Sequence, residues 1–255
     1  MANILIPLPA TDFDPTESAV PWRVLSTAGH AVRFATPDGK PASADPIMVT
    51  GQGLGWLKGV LQADSNGRSA YAAMLQSPEF KSPLRWADFR AADFDAVLLP
   101  GGHAKGMRPY LESTVLQGQV AQFFAANKPV AAICHGVLLA ARSKAADGRS
   151  VLYGRKTTGL TKTLELSGWA LTCAWMGDYY RTYEQVLQDE VKSVLKSPDD
   201  FLSGPPAIKR DSPSNLSPGF VVKDGNYLSA RWPGDAHLFA AELVKMLSNR
   251  PETTV

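Results

Sequence analysis

The chain has 255 residues, 45% of them hydrophobic and 20% charged, which fits a folded globular protein and argues against disorder. Its 26 basic and 24 acidic side chains leave a formal net charge of +2, so neither nucleic acid nor an anionic membrane is expected as a partner. Two cysteines, Cys134 and Cys173, exclude a disulfide framework and make a reducing compartment the simpler expectation.

The N-terminus, MANILIPLPATDFDP, has no basic stretch and no long apolar core, so it does not read as a signal peptide. No apolar run reaches the ~18 residues of a membrane span. A cytoplasmic location is the expectation. Asn3 to Leu8 is a short apolar run ended by prolines and reads as a buried strand. Pro15 and Thr16 lead into a helix over about Glu17 to Thr27, with Gly29 placed to end it. His30 to Thr36 is the second strand, stopped by Pro37-Asp38-Gly39. A right-handed crossover makes these two strands parallel neighbours.

Residues 40–92 break the rhythm and read as an insertion of short helices and loops over one end of the sheet. Asp95 to Leu99 is the next buried strand and runs into Pro100-Gly101-Gly102-His103. A helix follows over about Thr114 to Asn127, then the strand Val130 to Ile133, then Cys134, then a helix from Gly136 to Ala141. Arg155 to Thr158 reads as a short strand and Tyr183 to Leu195 as a charged amphipathic helix. Residues 203–218 are rich in Pro and Ser and read as a surface loop. Phe220 to Ala230 is a hairpin turning near Asp224-Gly225, and Asp235 to Ser248 is the last helix. Alternating strands and helices predict an α/β fold with a mainly parallel sheet flanked by helices, whose chemistry sits at the carboxyl ends of the strands. A single domain over residues 1–255 is expected, with cap-like insertions at about 40–92 and 177–218.

Three local patterns carry chemistry. In Val130-Ala131-Ala132-Ile133-Cys134-His135-Gly136 a cysteine stands between strand and helix with almost no connecting residues. A nucleophile there sits on a tight turn at the top of the sheet, with the helix N-terminus favouring a thiolate. A buried packing cysteine fits the same residues. The glycines of Leu99-Pro100-Gly101-Gly102-His103 let the backbone approach a ligand, and a glycine N–H there could pair with the N–H after Cys134 as an oxyanion hole. A plain βα turn explains them as well. Glu17 lies on the same rim as Cys134 and could bond its thiol or act as a general base; an ordinary first-turn glutamate is the alternative. Gly51-Gln52-Gly53-Leu54-Gly55 is followed by Trp56 and is not a dinucleotide fingerprint. The histidines, 30, 103, 135 and 237, lack metal-ligand spacing, so no metal is expected. Cys173 reads as a buried packing residue.

Taken together these residues resemble the DJ-1/PfpI superfamily, the class I glutamine amidotransferase-like fold, and within it the larger Hsp31-like branch. The likeness runs through Asp14-Pro15-Thr16-Glu17, the Gly101-Gly102-His103 turn, the Cys134-His135-Gly136 elbow, and Ala230-Arg231-Trp232-Pro233-Gly234. It implies a flavodoxin-like fold, Cys134 as nucleophile with His135 and Glu17 as catalytic partners, and oxyanion donors at the N–H groups of Gly102 and His135. His103, Gly101 and Arg231 are implied around the pocket, with no cofactor. Peptidase-like members complete a triad with an acid, and the stretch from Thr158 to Lys162 has none; Glu165 and Asp178 are the substitutes weighed. The His-Pro-Glu motif of glutaminase domains has no counterpart in Trp232-Pro233-Gly234-Asp235. Trp56, Tyr71 and Trp86 are candidate pocket aromatics.

The function the resemblance favours is cofactor-independent conversion of small reactive carbonyls, methylglyoxal to lactate in the manner of glyoxalase III. A redox-sensing or holdase stress protein and a cysteine amidase or peptidase are the alternatives. The expected partner is a small-molecule substrate. The resemblance leaves oligomeric state open, a homodimer among the options.

Overall fold

Apolar runs too short for helices build the centre of the sheet. The computed structural model describes residues 1–248; the expected domain span of 1–255 extends past them at 249–255. Strands β1 (Asn3–Pro7), β2 (Ala31–Thr36), β3 (Leu84–Arg85), β4 (Ala96–Leu99), β5 (Val130–Ile133), β6 (Val221–Asp224) and β7 (Tyr227–Ala230) form one seven-stranded sheet in the order β3-β2-β1-β4-β5-β7-β6. Only the β6–β7 pair is antiparallel. Every residue of β4, β5 and β7 is buried. Burial on both faces explains why these strands read as unbroken apolar runs rather than as alternating ones.

Helices fill the crossovers. In chain order they are α1 (Pro15–Thr27), α2 (Pro46–Thr50), α3 (Lys58–Leu61), α4 (Ser65–Met74), α5 (Pro78–Lys81), α6 (Arg108–Leu111), α7 (Thr114–Ala125), α8 (Gly136–Arg142), α9 (Lys162–Met176), α10 (Leu187–Val194) and α11 (Ala236–Ser248). Helix α1 packs on α4 and α11, while α8 packs on α6, α7 and α10. The fold is thus α/β, a mostly parallel sheet flanked by helices. No helix among the described residues is long and apolar enough to cross a membrane.

Four expectations need correction. Residues 155–158 are not a strand: the backbone makes a single bridge, Thr157 with Phe201, because the Thr157 hydroxyl faces Tyr227 and Ser229 of β7 instead of a ladder neighbour. The helix expected from Tyr183 begins only at Leu187, after an extended Val186. The Tyr183 ring is held instead between the guanidinium groups of Arg108 and Arg142. Cys173 is half-buried on α9 rather than in the core. Segment 40–92 holds not only the short helices α2 to α5 but also the edge strand β3, which pairs with β2.

Candidate active site

Parallel pairing brings the carboxyl ends of β1, β4, β5 and β7 to one rim. The residues that follow those strands meet there. After β1 the chain reaches Asp14, whose carboxylate caps α1 by accepting from Thr16 N (2.7 Å) and Glu17 N (3.0 Å). Pro15 at the first helical position needs no N–H partner. That cap orients the first turn and buries Glu17 completely.

After β5 the chain turns at Cys134 with φ of +55°. A non-glycine residue in that region costs about 1–3 kcal/mol. The surroundings hold it there: Cys134 N donates to Ala230 O at 3.1 Å, and Val137 N donates to Cys134 O at 3.2 Å. Position 136 must be glycine, since a Cβ there would run into the backbone carbonyls of Leu99 and Pro100. The His135 amide N–H is directed at the Cys134 sulfur.

Glu17 lies beside Cys134, close enough for each charge to act on the other. Glu17 Oε2 also accepts from Gly101 N at 2.9 Å. A Cβ at Gly101 would lie 2.6 Å from His135 N and 2.7 Å from Glu17 Oε2, so this turn has to be glycine. Burial, with the neighbouring Asp14 charge, pushes the Glu17 carboxyl well above its ordinary value. Burial and the Glu17 charge likewise push the Cys134 thiol up. The two groups therefore resist ionising together, and a proton on either one relieves the other. When it sits on Glu17, its charge no longer opposes a thiolate. Alkylation of Cys134 by iodoacetamide should accordingly accelerate as pH rises, with an apparent pKa above the usual carboxylate range; a flat profile from acid to mildly alkaline pH would contradict this coupling.

His135 is buried, and burial lowers its pKa to about 3. The ring is therefore neutral and carries one N–H. Thr182 decides which nitrogen bears it. The Thr182 hydroxyl donates to His103 O at 2.5 Å, so towards His135 Nε2, 3.1 Å away, it can only accept. Nε2 thus carries the hydrogen, and Nδ1 turns its lone pair to the Cys134 sulfur at 3.7 Å. Thr182→Val should lower activity at Cys134 by about tenfold or more, and Thr182→Ser should restore it; steady-state assay of the two variants checks this.

Among the described residues no acid completes a triad. Glu165 accepts from Leu187 N at 2.9 Å and faces Arg181 at 3.8 Å. Asp178 accepts from Trp169 Nε1. Neither contacts His135. Sequence reasoning missed Thr182 because it reaches the ring from 47 residues away, in an irregular segment with no periodicity to read.

Above the sulfur lies a cavity of about 240 Å³. Asp14, Glu17, Gly102, His103 and Cys134 line it, together with Glu165, Tyr180, Arg210, Trp232 and aliphatic side chains that include Met48, Leu61, Leu160 and Leu164. His103 stacks on Tyr180 with ring centroids 4.3 Å apart, and burial lowers its pKa to about 4. The Tyr179 hydroxyl bonds Asp45 beside it. Gly101 supports Glu17 instead of lining the cavity. Arg231 does not line it either: it is buried in an ion pair with Asp235. Trp56 is 80% exposed. Trp86 bonds Leu8 O and Ala35 O, and Tyr71 packs on Phe13. The walls contributed by 40–92 are instead Met48, Val60, Leu61 and Ala63. No group of three or more His, Cys, Asp or Glu among the described residues could hold a metal ion.

A cysteine on a strained strand–helix elbow, beside a buried carboxyl on a mainly parallel α/β sheet, defines the class of the fold and site. A family model described as ThiJ/PfpI family-like matches residues 8–205, and the chain belongs to this family, within the DJ-1/PfpI superfamily. It is 29% identical to the glutathione-independent glyoxalase hsp3101 of Schizosaccharomyces pombe over 232 residues, 90% of this chain and 87% of that one. It is 27% identical to the deglycase PfpI of Pyrococcus furiosus over 244 residues, 94% of this chain and 96% of that one. Glyoxalase III from Candida albicans shares the fold with a TM-score of 0.67, at 16% identity and 96% coverage of each chain.

Proposed function

We propose that the protein is a cofactor-independent enzyme that isomerises and hydrates small 2-oxoaldehydes, converting methylglyoxal to lactate. The observation that carries this reading is the buried Cys134–Glu17 pair beside the neutral Nδ1 of His135. The activity named for the S. pombe relative supports it.

The chemistry follows from the placement of protons. Cys134 Sγ attacks the aldehyde carbon C1, and the proton stays with Glu17. The oxyanion that forms is met by the His135 N–H, with Gly102 N–H as its second donor. Glu17 then protonates that oxygen, giving a neutral hemithioacetal. The carboxylate so freed removes the C1 proton; its electron pair forms a C1=C2 bond, and the C2 carbonyl pair moves to O2. Glu17 returns the proton to C2, while the O1 proton passes to O2. C1 is oxidised to a thioester and C2 is reduced to an alcohol, so no external redox partner is needed. Water attacks the thioester, the C1–S bond breaks, and lactate leaves with the thiol restored. Neutral His135 accepts the proton of that water at Nδ1 and passes it to the sulfur.

Purified protein given methylglyoxal without glutathione should release lactate, and Cys134→Ser should release none. Absence of lactate from the wild type, or undiminished release by the variant, would overturn the proposal.

A further inference from the structure

Arg210 stands in the 203–218 segment, away from every sequence pattern that suggested chemistry, yet it lines the same cavity as Cys134 and Glu17. It is the one arginine among the described lining residues, and no lysine joins it. Its head group is fixed on two sides. Nη2 donates to Val60 O and Gln62 O, each at 3.2 Å. The guanidinium carbon lies over the Trp232 ring, 5.3 Å from its centroid.

The other terminal nitrogen, Nη1, is buried and has no hydrogen-bond partner. Leaving a buried donor unpaired is unfavourable, more so for a charged one, and native structures seldom do it without cause. The cation also shares this cavity with Asp14. Its charge acts on Asp14, the residue that caps α1 and so sets Glu17. A substrate bound to Cys134 therefore shares its cavity with a fixed arginine that has one unspent N–H donor.

The geometry points to Arg210 as the residue that binds the second carbonyl oxygen of the substrate, selecting 2-oxoaldehydes over simple aldehydes. This deepens the function proposed above and rests on it. A simple aldehyde can form a hemithioacetal with Cys134 but has no adjacent oxygen. When the C1 proton leaves, the electron pair must end on O2. A guanidinium N–H bonded to O2 holds that charge without transferring a proton, and it pairs Nη1 at the same moment. The interaction strengthens as charge develops, so it acts on kcat more than on KM.

The test uses the full chain with methylglyoxal as substrate and iodoacetamide as an independent probe of Cys134. Arg210→Ala should lower kcat by about 10²–10³-fold, the range for losing one such donor, while the iodoacetamide rate stays within about twofold. Arg210→Lys should recover part of the loss, and guanidinium chloride at non-denaturing concentration should partly rescue Arg210→Ala. A kcat within about threefold of wild type, or an iodoacetamide rate that falls in step with kcat, would overturn the assignment. Absence of turnover in the wild type itself would instead overturn the function proposed above, and this role with it.

Discussion

Glu17→Gln should lower turnover of a 2-oxoaldehyde by about a hundredfold or more, while Cys134 stays open to alkylation. The magnitude is that of removing a positioned general acid–base. Glutamine keeps the shape of the side chain and an oxygen for the Gly101 N–H, so the turn survives. What it loses is the ability to carry a proton between C1, C2 and O1. A merely structural glutamate would lose both readouts together. The measurement is paired: lactate formation and iodoacetamide labelling on the same preparation. Equal turnover in wild type and variant would remove Glu17 from the chemistry and leave His135 as the sole base.

Asp235→Ala should destabilise the fold by about 3–5 kcal/mol, the cost of stranding one member of a buried ion pair. Arg231 and Asp235 are essentially inaccessible to water. Asp235 accepts from Arg231 Nε at 2.9 Å, Arg231 Nη2 at 2.8 Å, Arg231 N at 3.1 Å and Phe220 N at 2.9 Å. Alanine would leave a guanidinium in the protein interior, still held by Pro205 O but without its counter-charge. For a chain of this size the loss corresponds to a melting temperature lower by about 6–20 °C. The double variant Arg231→Met with Asp235→Leu should recover much of it, because it removes both charges. The pair lies next to the elbow, since Ala230 O receives the Cys134 N–H. Thermal unfolding followed by circular dichroism decides the matter. A single variant that melts with the wild type would show that the pair contributes nothing.

The sequence makes the elbow legible because its parts are adjacent: strand, cysteine and helix within eight residues leave one geometry. The Gly101-Gly102 turn and Glu17 follow from the parallel sheet, which puts every strand end on one rim. Residues contributed by irregular segments are not legible in this way. Thr182 and Arg210 lie in stretches with neither helical nor strand periodicity, and only three-dimensional packing brings them to His135 and the cavity. Helix α9 escapes for another reason. It buries Glu165 and Thr172 while Leu171 and Trp175 stay 47% and 49% exposed, so its pattern is the reverse of an apolar stripe facing a core. Arg231 shows the limit of carrying a role over from a motif. Its neighbours Trp232 and Pro233 line the cavity, while its own side chain turns inward to Asp235. The sequence leaves the third member of a triad open, with Glu165 and Asp178 as substitutes, and among the described residues it is the Thr182 hydroxyl that meets His135 Nε2.

The proposed chemistry depends above all on Cys134 adding to a reactive carbonyl. Intact-protein mass spectrometry of the wild type quenched during turnover of methylglyoxal, followed by peptide mapping, tests it directly. The predicted result is a mass gain of one methylglyoxal confined to the Cys134 peptide, decaying as lactate accumulates and absent from Cys134→Ser. Lactate formed with no adduct at any time, or an adduct that Cys134→Ser retains, would contradict the account.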